Sequence, residues 1–155
     1  MLFLLFQIGN DRYALEAKQA VEVLPFLALK KIPKAPRGVA GIFNYRGHPL
    51  PAVDLCELTH GRPARERLST RIIVADCSDA FGRQRLVGLI AEHATEMLRC
   101  ERKDFVESGV AVGEAPYLGP VMMDARGVIQ LLRAQHFLPE NVAALVGEGT
   151  EVVSP

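Results

Sequence analysis

Turn-forming residues divide this chain into short apolar runs, and none of the runs is long enough for an extended helix. Pro25, Pro33 and Pro36 exclude a long helix from residues 25 to 37, because proline lacks the amide hydrogen that a helix interior requires. Between the turns, runs rich in β-branched and aromatic residues recur at spacings typical of small barrels. We therefore predict a mainly β fold with about nine or ten short strands and two or three short helices.

The expected strands alternate with glycine, asparagine and aspartate clusters of the kind that close hairpins. They are Leu2–Ile8, Arg12–Leu15, Val39–Tyr45, Leu50–Val53, Arg71–Ala75, Arg85–Ile90, Glu96–Cys100, Tyr117–Met123 and Gly127–Leu132. Ala17–Glu22 fits either a short helix or a bent strand. Asp54 is a good N-cap for a helix over Leu55–Thr59, and Pro139–Val146 has helical spacing with proline in the first turn. Residues 147–155 are expected to be a frayed tail.

Composition narrows the class of protein. Eighteen basic residues balance eighteen acidic ones, and 49% of the 155 residues are hydrophobic, which argues against a disordered chain and against a polyanion binder. The apolar run Met1–Phe6 is too short to span a bilayer, and its flanks do not fit a signal peptide. Three cysteines spaced 21 and 23 residues apart do not form a disulfide framework. We expect a cytoplasmic chain that binds no nucleic acid and inserts into no membrane.

The two halves of the chain echo each other. Tyr13–Leu24 and Val87–Leu98 are identical at five of twelve positions without a gap, and the pair Glu22/Glu96 is among them. Further along, Arg46-Gly47 and Arg126-Gly127 each precede a predicted strand. The echo predicts a duplicated lobe, and two lobes of this size should pack together because each buries little alone. The polar, arginine-rich segment His60–Leu68 is the expected connection between the lobes.

The residues give no catalytic constellation. Cys56 and His60 lie four apart on a possible helix, but two ligands do not make a metal site. Gly38–Gly41 lacks the spacing of a phosphate loop, and Glu57, Glu66, Glu92 and Glu96 are more typical of solvated faces than of an acid–base pair. We predict no catalytic residue, no metal and no cofactor, and a protein that works through its surface.

Three segments resemble the CheW-like adaptor family of bacterial chemosensory systems: Phe3–Pro25, Lys31–Leu55 and, more weakly, Thr70–Arg99. The most specific is the pattern P-x-x-V-x-G-x-x-N-x-R-G-x-x-x-P-x-x-D-L over Pro36–Leu55. The resemblance implies one CheW-like domain over residues 1–146, built from two SH3-like five-stranded barrels. We expect the first at about residues 1–62, with the C-terminal segment allowed to pack back on it, and the second at about residues 69–133.

The resemblance also implies a function and a site. It implies a non-catalytic adaptor that joins the cytoplasmic tip of a methyl-accepting chemoreceptor to the regulatory domain of a CheA-type histidine kinase. Carried over residue by residue, the receptor-binding region falls on Ala20, Glu22, Val23, Gly41 and Arg46. We expect Arg46 and Glu22 to form an ion pair there, because an arginine fork can hold a carboxylate and fix two strands in register. At Gly41, close approach of a partner and a bulge in the strand are both open.

Kinase binding in the family uses apolar strand ends of the second subdomain, which points to Val87, Leu89 and Ile90 here. Tyr45, His93 and Cys100 depart from the family pattern, and these departures favour a specialised pathway such as surface sensing or biofilm control. Two other classes stay open from sequence: a small enzyme on an SH3-like scaffold, and a regulator that binds other partners through the same groove.

Overall fold

The computed structural model describes residues 1–77, 84–110 and 115–134. The strands in these ranges are β1 (Leu2–Ile8), β2 (Asp11–Glu16), β3 (Ala20–Pro25), β4 (Val39–Tyr45), β5 (His48–Asp54), β6 (Arg71–Asp76), β7 (Leu86–Arg99), β8 (Leu118–Asp124) and β9 (Gly127–Leu132). The helical segments are α1 (Leu55–His60) and two 3₁₀ turns, Ala17–Gln19 and Arg102–Asp104. The prediction of a mainly β fold is confirmed. The predicted helix Pro139–Val146 and the tail 147–155 lie outside the described residues.

The short helix α1 begins and ends as its sequence predicts. The Asp54 carboxylate accepts hydrogen bonds from the backbone amides of Cys56 and Glu57, at 3.0 and 3.2 Å, and so caps the first turn. Gly61 ends the helix in the left-handed conformation with φ 74°, which costs glycine little. Within the described ranges, no helix is both long and apolar enough to cross a membrane.

The strands form two five-stranded sheets with the same order and the same pattern of directions. Sheet 1 runs β7–β1–β2–β9–β8 and uses the C-terminal half of β7. Sheet 2 runs β3–β6–β7–β5–β4 and uses the N-terminal half of β7. In each sheet one pair is parallel, β2 with β9 or β7 with β5, and the other three pairs are antiparallel. The two sheets therefore repeat one strand plan, as the sequence echo predicted.

The two halves of the chain are exchanged between the sheets. The first half supplies β1 and β2 to sheet 1 and β3, β4 and β5 to sheet 2, and the second half does the reverse. The predicted division at residues 1–62 and 69–133 therefore does not coincide with the sheets. The mismatch arises because each half of the chain crosses from one sheet to the other, the first half between β2 and β3 and the second half within β7.

The second crossing corrects the prediction of two separate strands at Arg85–Ile90 and Glu96–Cys100. The structure has a single strand of 14 residues, β7. Glu92 of β7 is level with Gln7 and Glu96 is level with Leu5, so β7 carries extra residues between them as a bulge. His93 lies in this bulge with φ 49°, which bends the strand from sheet 2 into sheet 1 without a turn.

The described residues form three apolar cores. One lies within sheet 2 and includes Phe43 and Ile72, and one lies within sheet 1 and includes Phe3 and Leu131. The third and largest draws on both sheets, and Leu15 is one of its fully buried side chains. Because this shared core joins the sheets over many residues, they form one body rather than two linked lobes.

Candidate functional site

The hairpin between β4 and β5 positions Arg46. Tyr45 is level with His48, so Arg46 and Gly47 are the two loop residues. Their φ angles are 52° and 86°, and positive φ at both positions is the geometry of a type I′ turn, which fits the twist of a tight hairpin. The Asn44 side chain stabilises the turn by accepting a hydrogen bond from the Gly47 amide at 2.7 Å.

The predicted ion pair of Arg46 and Glu22 is present. Nη2 of Arg46 donates to Oε1 of Glu22 at 2.8 Å, and the Tyr45 hydroxyl donates to the same oxygen at 2.9 Å. The Arg46 guanidinium also lies 5.3 Å from the centre of the Tyr45 ring, within range of a cation–π contact. Because Tyr45 is buried and donates to a carboxylate, its pKa is raised above the ordinary value.

The pair spans the opening of sheet 2. Glu22 lies on β3 and Arg46 follows β4, and these two strands are the opposite edges of the sheet. The Glu22 side chain is 35% exposed and the Arg46 side chain 73% exposed, so the pair faces solvent rather than the core. Exposed ion pairs contribute about 0–1 kcal/mol to stability, so this pair adds little to the stability of the fold.

The other predicted receptor-binding residues do not share one face with Glu22. Ala20 is half-buried against the shared core, whereas Val23 is on the opposite face of β3 from Glu22 and is exposed together with Val21. Successive side chains of a strand point to opposite faces. The structure thus gathers an ion pair on one side of β3 and two valines on the other.

Gly41 is buried, and the chain itself fills the space beside it. The backbone of Lys30 pairs with Ile42 through two hydrogen bonds of 2.9 and 2.8 Å. A Cβ at Gly41 would lie 2.5 Å from the Lys30 carbonyl oxygen, and the register of β4 shifts between Val39 and Gly41. The structure therefore supports the bulge. A partner cannot approach the Gly41 backbone closely, because Lys30 already occupies this space.

The predicted kinase-binding residues do not form a surface. Val87 and Leu89 are 0% exposed in the shared core, and Ile90 is 1% exposed in the core of sheet 2. The exposed large apolar side chains in the strands of sheet 1 are instead Leu2, Met97, Met123 and Val128, and Met123 is level with Val128 on the β8–β9 hairpin.

Near these side chains, sheet 1 repeats the ion pair of sheet 2. Nη1 of Arg126 lies 3.7 Å from Oε2 of Glu96, and both side chains are more than half exposed. Glu96 and Arg126 are the residues that the sequence echo matched with Glu22 and Arg46. Next to this pair, the Arg12 guanidinium donates two hydrogen bonds of 2.9 and 2.5 Å to the Asp124 carboxylate. These bonds lower the pKa of Asp124 to about 2.

Sequence reasoning missed the buried carboxylates. Glu92 was expected on a solvated face, yet it is buried and accepts hydrogen bonds from the amides of Gly9 and Arg65, at 3.1 and 3.0 Å. Asp54 is buried as well, and burial raises its pKa although three backbone amides donate to it. Both carboxylates tie loops to strands, a role that the spacing of acidic residues in sequence does not signal.

The thiols and imidazoles give no metal site among residues 1–77, 84–110 and 115–134, since no three metal-ligating side chains converge there. Nε2 of His60 is 3.2 Å from the Ile8 carbonyl oxygen, so this ring serves a backbone contact. Cys56 and Cys77 are buried, and burial raises the pKa of Cys77 to about 12, so its thiol is a poor nucleophile.

Comparisons with known proteins agree with this architecture. Residues 2–141 match the family model described as a CheW-like domain. The chain is 28% identical over 103 residues to a chemotaxis protein CheW of Helicobacter pylori, covering 66% of this chain and 59% of the relative. It is 27% identical over 96 residues to a chemotaxis protein CheW of Klebsiella aerogenes, covering 62% and 55%. The chain thus spans less than two thirds of the length of these curated relatives.

A solved structure has the same fold. The scaffolding protein TtCheW from Thermoanaerobacter tengcongensis superposes with a TM-score of 0.77, covering 91% of this chain and 89% of that one. The two sequences are only 20% identical in this alignment, so the likeness concerns the fold.

Proposed function

The chain belongs to the CheW-like domain family, and from this membership we propose that it is a non-catalytic adaptor in chemosensory signalling. Its proposed partners are the cytoplasmic tip of a methyl-accepting chemoreceptor and the regulatory domain of a CheA-type histidine kinase. Both partners are cytoplasmic, so the proposal places the chain in the cytoplasm.

The observation that carries the proposal is the Glu22–Arg46 pair at the open edges of sheet 2. It offers one positive and one negative group at fixed positions, held by the Tyr45 hydroxyl. On the opposite face of β3, Val21 and Val23 expose apolar surface. A helical receptor tip has apolar and charged side chains at helical spacing, and such a helix binds through a mixture of these contacts. We assign receptor binding to this edge.

We assign kinase binding to sheet 1. Val87, Leu89 and Ile90 are too deeply buried for this role, and the exposed Met97, Met123 and Val128 replace them in the proposal. Methionine side chains are flexible and adapt to a partner surface, which suits an interface that forms and dissociates. The Glu96–Arg126 pair beside them would set the orientation of the partner.

The shared core explains how one small chain can hold two partners in a fixed relation. Sheets 1 and 2 contribute side chains to the same apolar cluster, and residues on both sides of each chain crossing pack in it: Leu15 and Ala20 around the first, Ala91 and Ala94 around the second. A partner on either sheet therefore meets a body that is rigid with respect to the other sheet. That is the mechanical requirement for an adaptor, which must transmit position rather than carry out a reaction.

The test uses the purified full chain and two probes from the same organism, the receptor cytoplasmic fragment and the kinase regulatory domain. We expect wild-type protein to bind both. Arg46→Ala should weaken binding of the receptor fragment by about tenfold and leave kinase binding within about twofold, because the lost contact is on sheet 2. Arg126→Ala, its match on sheet 1, should show the opposite pattern.

Wild-type protein that binds neither probe would overturn the adaptor function. Equal losses in both variants for both probes would leave the adaptor function standing and overturn the assignment of one partner to each sheet. Circular dichroism spectra of the variants serve as the control for folding.

A further inference from the structure

The loop between α1 and β6 exposes an isolated leucine. Leu68 is 96% exposed, more than any other large apolar side chain in the described ranges. A single exposed leucine is common on protein surfaces and has no meaning by itself. Leu68 differs from such residues because hydrogen bonds hold the backbone of its loop at several positions.

Buried polar groups hold this loop. The Ala64 amide donates to Asp54 at 2.9 Å and the Arg65 amide donates to Glu92 at 3.0 Å. The buried Thr70 hydroxyl accepts from the Arg67 amide at 3.2 Å and donates to the Arg65 carbonyl. A loop fixed in this way loses little conformational entropy on binding, so Leu68 is presented as a preorganised knob.

The knob also has an unbalanced charge. Residues 62–71 contain four arginines and a single glutamate, in a chain whose net charge is zero. Within the part of the chain that the structure describes, Arg65 and Arg67 form no ion pair. The knob, Arg65–Leu68, therefore combines one exposed apolar side chain with two arginines that could bind carboxylates of a partner.

A matching socket lies on the same molecule. A cavity of about 770 Å³ opens between the β3–β4 connection, α1 and the loop itself. Its apolar walls include Phe26, Leu29 and Val39. Pro63, Ala64 and Glu66 line the side nearest the knob, and Glu57 of α1 is a carboxylate in the lining. Knob and socket are thus neighbours, since residues of one loop belong to both.

We propose that two copies of this chain associate reciprocally, with Leu68 of each inserted into the cavity of the other and Arg67 placed near Glu57 of the partner copy. Adjacent knob and socket are the arrangement that a two-fold axis needs, because one patch then meets its own copy and the assembly closes as a dimer. The cavity lining has charges of both signs, Lys31 and Arg37 as well as Glu57 and Glu66. This contact goes beyond the proposed adaptor function and uses neither the Glu22–Arg46 edge nor Met123.

A second copy fits the observations better than an anionic membrane or a nucleic acid. Glu66 sits between the two arginines and would be repelled by phosphates. A protein socket with charges of both signs accommodates it. The expected dimer is weak, with a dissociation constant on the order of 100 µM, because the interface is at the small end of the range for specific complexes.

The test is sedimentation equilibrium of the full chain from about 10 µM to 1 mM. Wild type should pass from monomer to dimer. Leu68→Asp should weaken association by about 100-fold, because each dimer loses two buried leucines worth roughly tenfold each. Met123→Asp, an equally drastic change at an exposed site on sheet 1, should leave the dissociation constant unchanged within about twofold.

Charge reversal identifies the contact. Arg67→Glu and Glu57→Arg should each weaken self-association by at least about fivefold, since each homodimer then contains two like-charge pairs. An equimolar mixture of the two variants should recover it, because the heterodimer contains one native pair and one reversed pair. A chain that stays monomeric to 1 mM would overturn the proposal, and so would a dimer that Leu68→Asp leaves intact or a mixture that does not recover.

Discussion

The two hairpins that close the sheets, Asn44–Gly47 and Asp124–Gly127, share the Arg-Gly pair in sequence and have different structures. In the first, Arg46 and Gly47 form the loop with positive φ. In the second, Asp124 is level with Gly127, so the loop is Ala125-Arg126, and neither loop residue has positive φ. The arginine is therefore the first loop residue in sheet 2 and the second in sheet 1, although the sequence aligns them.

The change of register alters what each arginine can contact. In sheet 2 the preceding residue is Tyr45, which is buried and supports the Arg46–Glu22 pair with its ring and its hydroxyl. In sheet 1 the preceding residue is Ala125, and Arg126 reaches Glu96 only at 3.7 Å. The two sheets share the strand order and a Glu–Arg ion pair. The geometry of each turn decides how closely its arginine approaches the glutamate. Two surfaces of different rigidity are what two different partners would require.

The largest effect should come from Gly41, in the strand that leads into the hairpin of sheet 2. Gly41→Ala would place a Cβ 2.5 Å from the Lys30 carbonyl oxygen. Relief of this clash requires a shift of the main chain at Gly41 or at Lys30, because no flexible side chain is involved in the contact. We expect a loss of about 3 kcal/mol or more in the free energy of unfolding by urea denaturation. Gly127→Ala in the other hairpin has nothing within 4 Å of its Cβ and should cost only about 1 kcal/mol for its positive φ. Similar losses in the two variants would contradict the close approach at Gly41.

The tyrosine is the next test. Tyr45→Phe removes one of the two donors to Glu22 and keeps the ring in the core, so we expect a loss of about 1 kcal/mol in unfolding free energy. Glu96→Gln, which removes the carboxylate of the looser pair, should change stability by less than about 0.5 kcal/mol. If Glu96→Gln costs as much as Tyr45→Phe, the two pairs are equally tight and the comparison fails.

The sequence predicted local structure well because local residues decide it. The strands Leu2–Ile8 and Val39–Tyr45 and the cap at Asp54 lie where turn chemistry and propensity place them. Val87, Leu89 and Ile90, which the family resemblance assigned to kinase binding, are buried, and a continuous apolar run is typical of a strand buried on both faces. The exchange of strands between halves and the burial of Glu92 depend on contacts between distant segments, since the amide of Gly9 is 83 residues from Glu92.

The two crossings between the sheets differ as well, and this difference is also testable. The chain passes from β2 to β3 through the 3₁₀ turn Ala17–Gln19, whereas β7 bends at His93 with φ 49°. A non-glycine residue in this region carries strain of about 1 kcal/mol, and asparagine tolerates it better. We expect His93→Asn to raise the unfolding free energy by up to about 1 kcal/mol. A destabilised variant would mean that the His93 side chain contributes contacts that outweigh the strain.

The smallest effect concerns acid and the contact of Arg12 with Asp124 in the hairpin of sheet 1. Arg12 lowers the pKa of Asp124 to about 2, whereas its counterpart Asn44 does not titrate. A carboxyl group whose pKa is lower in the folded state stabilises the fold above its unfolded pKa of about 3.9, and that stabilisation is lost as the pH falls towards about 2. The difference in unfolding free energy between wild type and Asp124→Asn should therefore be constant above about pH 5 and shrink below about pH 4. Urea denaturation from pH 2 to 6 measures this difference, in which the other carboxylates cancel. A difference that does not change with pH would show that Arg12 and Asp124 are not paired in solution. The hairpin of sheet 1 would then lack the ion pair that distinguishes Asp124 from its counterpart Asn44 in sheet 2.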